Sequence, residues 1–158
     1  MRGLRVVVLR DPKESARKCS LTPLRGREDV TFVEWSGGRT VEGEGKTLLH
    51  VEGEPLSRGD GGRDLLLLDA SWKKVPRMLR AVRGAPVRRS IPEGIVTAYP
   101  RRSRTYPDPS AGLASVEALY VASVVLGAPD PTLLEGYLFG GAFLARNARR
   151  LAEFGGEP

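Results

Sequence analysis

The sequence predicts an α/β domain in which helices pack on a central, largely parallel sheet. Apolar runs that contain β-branched and aromatic residues dominate the first half of the chain, and helical periodicity dominates the second half. Residues 65–68 are four consecutive leucines, which is typical of a strand that is covered on both faces and therefore central in a parallel sheet. Along the chain, the predicted elements are first strands, then alternating strands and helices, and finally two helices. This order indicates helices packed against one sheet.

Five segments match strands, because their apolar runs end at turn-forming residues. They are residues 4–10, 30–35, 46–53, 65–69 and 93–100. The last of these, EGIVTAYP, is ended by Pro100, which has no N–H for a sheet ladder. Glycine-rich stretches such as WSGGRTVEGEG lie between the strands and predict turns or loops.

Three helices are predicted from apolar residues at helical spacing. The first begins within residues 72–75, because Pro76 is tolerated only in the first turn, and its outer face is basic. The second, residues 113–127, is mostly apolar and is therefore expected to be buried. The third begins with Asp130 as its N-cap and Pro131 at the first helical position.

The length of the chain and its few cysteine and histidine residues narrow the class of protein. A chain of 158 residues is expected to form a single domain, with a strand-rich part up to about residue 62. The single cysteine, Cys19, cannot form an internal disulfide and fits a reducing cytoplasm. With one histidine, His50, no zinc site of Cys and His ligands is expected. No apolar run has the length of a membrane span.

Positive charge is concentrated in one segment of the chain. Residues 73–104 include ten basic residues and one acid, Glu93, so the net charge of +6 divides into +9 for this segment and −3 for the rest. Such a concentration predicts a polyanionic partner, most often nucleic acid. The alternative is a solvated surface without a partner.

Several common enzyme classes are excluded by missing motifs. The chain has neither a G-x-G-x-x-G after a strand, nor a G-x-x-x-x-G-K-[ST] phosphate loop, nor a G-x-S-x-G elbow. Polar and aromatic residues cluster instead where three predicted strands end, in RDPKESARKCS, DASW and TAYPRRSRTYPDPSAGLASVEA. Loops at the carboxyl ends of parallel strands form the ligand sites of α/β folds, so these three segments are expected to line one pocket.

These segments, in this order, resemble the superfamily of 3-amino-3-carboxypropyl (acp) transferases, which contains small-subunit rRNA enzymes and DTW-domain tRNA enzymes. DPKESARKCS resembles the DPKKCTG-like segment of the rRNA branch, with an insertion at residues 14–17. PLSRGD resembles the LSPxD segment, and DASW the acid, small residue, Ser or Thr, and Trp of the main motif. TAYP and LASVEA occupy the places of an Ala-Asn-Pro stretch and a helix start. Tyr99 replaces the usual Asn, and RRSRTYPDP is closer to the DTW branch.

The resemblance implies a SPOUT-like RNA methyltransferase fold with a C-terminal trefoil knot, in about residues 63–154, that binds S-adenosyl-L-methionine. It implies transfer of the acp group to N3 of a uridine or pseudouridine, in small-subunit rRNA during ribosome biogenesis. The sulfonium activates three carbon atoms toward attack. Which of them reacts depends on how the pocket positions the cofactor against the base. The alternatives are the same chemistry on a tRNA uridine, methyl transfer, and a non-catalytic RNA-binding or ribosome-assembly module.

The resemblance also implies roles for individual residues. Asp69 is the candidate to accept the N3 proton or to fix the base, although it could instead cap the following helix. Trp72 is expected to contact the methionine tail and its methyl group. Glu117 opens the matching helix, where an acid suits the dipole. The other candidate cofactor contacts are the hydroxyls of Ser20 and Ser115, for the carboxylate, and the backbone around Leu68, Ile95 and Val96, for the adenosine.

The basic segment is expected to contact RNA phosphates, so that affinity falls steeply with salt. Its candidate contacts are Lys73, Lys74, Arg77, Arg80, Arg101, Arg102 and Arg104. Tyr99 and Tyr106 could stack on a splayed base, with core packing as the alternative for Tyr99. The protein is expected to act as a cytoplasmic monomer.

Overall fold

A computed structural model of the protein describes residues 3–13, 20–71, 73–100 and 113–155. These residues form seven strands: β1 (Val6–Arg10), β2 (Val30–Glu34), β3 (Val41–Glu42), β4 (Thr47–Pro55), β5 (Leu65–Asp69), β6 (Val82–Arg83) and β7 (Val87–Ser90). Five of them form one sheet in the order β2-β1-β5-β4-β7, and every neighbouring pair in it is parallel. The short strands β3 and β6 form a separate parallel pair.

Three α-helices and four short 3-10 turns complete the described part of the chain. The helices are α1 (Val75–Met78), α2 (Ser115–Val125) and α3 (Gly140–Gly155). The 3-10 turns are Thr22–Leu24, Arg58–Asp60, Leu79–Ala81 and Pro131–Leu134. In the ranges given above, no helix combines the length and the apolar character that crossing a membrane requires. The predicted α/β fold with helices on a central parallel sheet is confirmed.

The core lies on both faces of the sheet, and β5 contributes to each. Because side chains alternate along a strand, Leu65 and Leu67 pack with Leu119 of α2 and Phe143 of α3. Leu66 faces the other way and packs with Met78 of α1. Burying one such leucine completely stabilises the fold by about 1.5–3 kcal/mol. The run of leucines therefore marks the central strand, as the sequence predicted.

The register of the sheet places several strand ends at one edge. β1 and β5 pair along their full length, from Val6 with Leu65 to Arg10 with Asp69. The pairing of β4 with β5 covers only two residue pairs and ends at Leu66. Within the described strands, the last part of β5 therefore has a neighbour on one side only. An open position at the carboxyl end of a parallel sheet is where α/β proteins bind ligands.

The prediction of a strand at residues 93–100 is wrong. The fifth strand of the sheet is β7, and residues 91–100 run beside the helices without entering a ladder. Three of the four residues of β7, VRRS, are polar, which an edge strand tolerates, so the strand lacks an apolar run. The apolar residues of the later segment face the core instead, as Ile95 and Ala98 are buried there.

The predicted start of the third helix is also wrong. Asp130 caps a 3-10 turn, in which its side chain accepts a hydrogen bond from the Thr132 N–H, and α3 begins ten residues later at Gly140. The intervening chain packs closely on its neighbour: a Cβ atom on Gly136 would lie 2.3 Å from Cβ of Pro23. The first helix begins where predicted, but it has a single turn before a 3-10 turn follows it.

Candidate active site

The ends of β1 and β5 meet the N-terminus of α2. The backbone N–H of Asp11 donates to the carbonyl oxygen of Asp69 over 3.0 Å, which joins the two strand ends. The side chain of Asp69 points to the α2 face, where Ser115 Oγ lies 3.4 Å from Asp69 Oδ1. Asp69 is only 7% exposed, so its carboxylate lies in a largely water-excluded position.

The guanidinium of Arg10 holds the other side of this carboxylate. Its Nε lies 3.4 Å from Asp69 Oδ2, and its Nη2 donates to Thr22 Oγ1 over 2.7 Å. Its carbon Cζ lies 5.6 Å from the ring centre of Phe32. The Nη1 atom is buried and has no hydrogen-bond partner in the described part of the chain. A buried charged group that leaves a donor unpaired costs stability, which is a common property of functional sites.

Ser20 and Ser115, both predicted cofactor contacts, come together at the N-terminus of α2. Ser20 Oγ accepts a hydrogen bond of 3.1 Å from the Val116 N–H. Ser115 is the first residue of the same helix and contacts Asp69. The positive end of an eleven-residue helix and two hydroxyls form an environment that suits an anionic group.

The carboxylate of Glu117 holds together the chain segments around α2. Four donors reach its two oxygens: Thr97 Oγ1 at 2.7 Å, Ala114 N at 2.8 Å, Ala98 N at 2.9 Å and Tyr137 Oη at 3.0 Å. The residue is completely buried. A carboxylate that accepts four hydrogen bonds has its acceptor positions filled, so we assign Glu117 a structural role.

Residues 93–99 are held against α3 by hydrogen bonds from side chains of the helix, and not by pairing in a sheet. The amide of Asn147 accepts from the Val96 N–H and donates to the Val96 carbonyl oxygen, both over 2.8 Å. Arg146 and Arg150 donate to the carbonyl oxygens of Thr97 and Glu93. The N–H and one acceptor position of the carbonyl oxygen of Val96, a predicted adenosine contact, are therefore engaged inside the protein.

The other predicted cofactor contacts have different surroundings. Ile95 is buried in the core on the α2 face, whereas the side chain of Leu68 packs on the α1 face. Tyr99 packs edge-to-face on Phe139, with ring centres 5.6 Å apart, so it follows the core-packing alternative. Trp72, Cys19, Tyr106 and the predicted RNA contacts Arg101, Arg102 and Arg104 lie outside the described residues.

The segment PLSRGD forms a capped turn that is pinned to the sheet. Asp60 accepts from the Ser57 N–H at 2.9 Å, from Arg63 Nη2 at 2.7 Å and from Arg89 Nε at 3.0 Å. Burial alone would raise the pKa of Asp60, but these hydrogen bonds and the charge of Arg89 outweigh it, and the pKa lies below its usual value. This arrangement fixes the crossover from β4 to β5.

The N-cap of α1 is Lys74, whose own side chain makes no capping hydrogen bond, and the capping alternative for Asp69 stays a prediction. The ammonium of Lys74 pairs with Oδ2 of buried Asp11 over 2.6 Å, so this predicted RNA contact already has an anionic partner. Lys73, Arg77 and Arg80 are exposed near it. Arg10 and Asn147 were not among the predicted site residues. Arg10 opens the RDPKESARKCS cluster but was given no role there, and Asn147 lies in no recognisable motif.

A comparison with solved structures finds the SAM-dependent rRNA:acp-transferase Tsr3 from Vulcanisaeta distributa, with a TM-score of 0.75 and 26% sequence identity. The similarity covers 98% of this chain and 84% of that chain. Comparisons with protein-family models and with curated proteins find no match. The structural match confirms the resemblance to the rRNA acp transferases that the order of the motifs indicated.

Proposed function

We propose that the protein is an S-adenosylmethionine-dependent acp transferase that modifies N3 of a uridine or pseudouridine in small-subunit rRNA. The observation that carries this proposal is the similarity to an rRNA acp transferase along 98% of the chain. It favours rRNA over tRNA as the substrate, and an enzyme over a non-catalytic binding module. A soluble cytoplasmic monomer that takes part in ribosome biogenesis fits this activity.

The proposal includes the finer fold of the family, a SPOUT-like arrangement whose C-terminal part, about residues 63–154, is knotted. Two features support it. The sheet is parallel throughout, and β5 lies between β1 and β4 although the chain reaches it after both. The segment after β7 then runs against α2 and α3 without joining the sheet, held by Glu117 and Asn147.

The groups around the N-terminus of α2 fit the methionine portion of S-adenosylmethionine. Hydroxyls of Ser20 and Ser115, the positive end of the helix and the unpartnered nitrogen of Arg10 suit a carboxylate. When bound, the cosubstrate supplies a sulfonium whose neighbouring carbons are open to attack, and the pocket decides which one faces the RNA base.

Within this proposal each residue has a limited task. Asp69, at the end of a rigid buried strand, accepts the N3 proton of the base or holds the base by a hydrogen bond. Trp72 packs against the methionine tail and covers the methyl group, and an aromatic ring beside a sulfonium adds cation–π attraction of about 1–2 kcal/mol. The backbone around Leu68, Ile95 and Val96 supplies contacts to the adenosine.

Calorimetric titration of S-adenosylmethionine tests the cofactor assignment. We expect micromolar binding by the wild type, loss of binding in Trp72→Ala, and unchanged binding in Trp35→Ala, which removes the other tryptophan. Incubation with small-subunit rRNA then tests the reaction, because acp transfer releases methylthioadenosine whereas methyl transfer releases S-adenosylhomocysteine. Release of S-adenosylhomocysteine would replace the proposal with methyl transfer, and absence of any binding would reject both.

A further inference from the structure

A groove of about 430 Å³ opens beside the carboxyl ends of β1 and β2. Residues 11–13, 35–40, 74, 77, 80 and 81 line it, and we call it the basic groove. Its volume lies within the range of roughly 300–1,000 Å³ that is typical of ligand sites. The groove adjoins the candidate active site, because Asp11 in its wall is hydrogen-bonded to the backbone of Asp69.

The basic groove has a positive charge that the described protein does not neutralise. Its one carboxylate, that of Asp11, is paired with Lys74 at 2.6 Å. Four further basic side chains line it and have no ion-pair partner among the described residues: Lys13, Arg39, Arg77 and Arg80. Several positive charges around one cavity favour a ligand that carries more than one negative charge.

The groove also contains a large aromatic surface, the indole of Trp35. This half-buried side chain packs on the core beside α1, and its backbone N–H is fixed to the Arg10 carbonyl oxygen at 2.7 Å. The guanidinium carbon of exposed Arg77 lies 5.9 Å from the indole centre, over its face. Because the Arg77 side chain is exposed and has no ion-pair partner among the described residues, it can leave this face to a planar ligand.

The loop after β2 leaves room next to the indole. Residues 36–39 form a tight turn closed by the Arg39 N–H and the Ser36 carbonyl oxygen at 2.9 Å. Gly38 has a φ of +82°, and a Cβ atom on Gly37 or Gly38 would meet nothing within 4 Å. A ligand backbone can therefore pass close to the main chain of this turn.

We propose that the basic groove binds a nucleotide of the RNA that flanks the modified base. Its base stacks on Trp35, in the place that Arg77 covers in the free protein, and its phosphates bind Arg39, Arg80 and the displaced Arg77. A nucleotide has a base that can stack on the indole and neighbouring phosphates that can bind the arginines of the same groove. An acidic peptide would complement only the charges. The inference rests on the proposed function, because it assumes that the substrate is RNA.

The test measures fluorescence anisotropy of a labelled decauridylate titrated with the full-length protein, at about 50 mM salt so that phosphate contacts are strong. We expect Trp35→Ala to weaken binding by about 5- to 150-fold, the range found for one stacked base. Trp35→Phe keeps an aromatic face and should stay within about threefold of the wild type. Arg39→Gln should weaken binding by about 2- to 10-fold, whereas Arg149→Gln, the same change on an exposed arginine of α3, should have less effect.

A second comparison needs no variant and guards against a Trp35→Ala protein that fails to fold. An abasic decamer with the same phosphates should bind the wild type about 5- to 150-fold more weakly than decauridylate. Equal binding of the two oligomers would overturn the inference. Equal affinities of the wild type and the folded Trp35 and Arg39 variants would overturn it as well, as would equally tight binding of a decaglutamate peptide.

The cofactor titration separates this inference from the proposed function. If the wild type binds S-adenosylmethionine and modifies rRNA, and Trp35→Ala does so with an unchanged KM for RNA, only the groove assignment fails. If decauridylate binding depends on Trp35 but no cofactor binds, the proposed function fails and the groove remains.

Discussion

Two buried carboxylates, Glu117 and Asp69, flank the N-terminus of α2 and have different surroundings. Glu117 is completely buried and accepts four hydrogen bonds of 2.7–3.0 Å from neutral donors. Asp69 is 7% exposed, and its contacts with Ser115 and Arg10 are each 3.4 Å long. The four bonds to Glu117 have ordinary hydrogen-bond lengths, whereas these two contacts of Asp69 are long.

The difference shows that two neighbouring carboxylates can have separate roles, one in the stability of the fold and one in the reaction. A carboxylate with filled acceptor positions fixes the chain around it but has no capacity for a substrate. Asp69 lies at a strand end, and its contacts with Ser115 and Arg10 are long ones that a ligand can replace more easily. Glu117 therefore stabilises the fold, and Asp69 is the candidate for the reaction.

Asp69→Asn should have the largest effect. We expect the rate of acp transfer to fall about 10²- to 10⁴-fold, the range for loss of a general base, because an amide cannot accept the N3 proton. Cofactor affinity should change little. Single-turnover kinetics on rRNA, with calorimetry for the cofactor, measure both effects. Glu135→Gln, which removes an exposed carboxylate elsewhere, is the control; full transfer by Asp69→Asn would end the role of Asp69 as a base.

Glu117→Ala should have the opposite pattern, in which stability is lost first. The change leaves the buried donors of Thr97, Ala98 and Tyr137 without their acceptor, so we expect the free energy of unfolding to fall by about 3–5 kcal/mol. Urea denaturation at pH 7 measures it, and Glu117→Gln, which retains an acceptor, should cost less. A loss below about 1 kcal/mol for Glu117→Ala would mean that Glu117 does not have the structural role that distinguishes it from Asp69.

The sequence predicted Asp69 but not the network that supports the site, and there is a physical reason for this. The four leucines before Asp69 indicate a central strand by their composition alone, and the polar residue that follows marks the strand end. The bonds from Asn147 to Val96 join residues 51 positions apart, and such contacts leave no periodic pattern. Strand β7 was missed for a related reason, since an edge strand needs no apolar run.

Tyr137→Phe sharpens the comparison by removing one donor to Glu117. A hydrogen bond to a charged group contributes about 1.5–3 kcal/mol, and we expect a loss of that size in the free energy of unfolding. The matched change on the other carboxylate is Ser115→Ala, which removes a contact of 3.4 Å and should cost less than about 0.5 kcal/mol. Equal losses in the two variants, measured by urea denaturation, would mean that both carboxylates are held alike.

A third carboxylate, Asp11, extends the comparison to a group that is held by a cation. Burial by itself would raise the pKa of Asp11, but the hydrogen bonds from Lys74 and the Lys13 N–H, together with the charges of both lysines, lower it below its usual value. A carboxyl whose pKa is lower in the folded than in the unfolded protein stabilises the fold above the unfolded pKa, about 4. This contribution is lost as the pH falls through the folded pKa.

The acid dependence of Asp11→Asn therefore gives the smallest of the predicted effects, on the order of 1 kcal/mol. At pH 7 the wild type should be more stable than Asp11→Asn, and the difference should shrink as the pH falls below about 4, because the carboxyl then becomes protonated, first in the unfolded and then in the folded wild type. Urea denaturation of both proteins across this range measures it. A difference that stays constant would mean that the Lys74 ion pair does not stabilise the charged form, and Asp11 would then resemble Glu117, held by its hydrogen bonds.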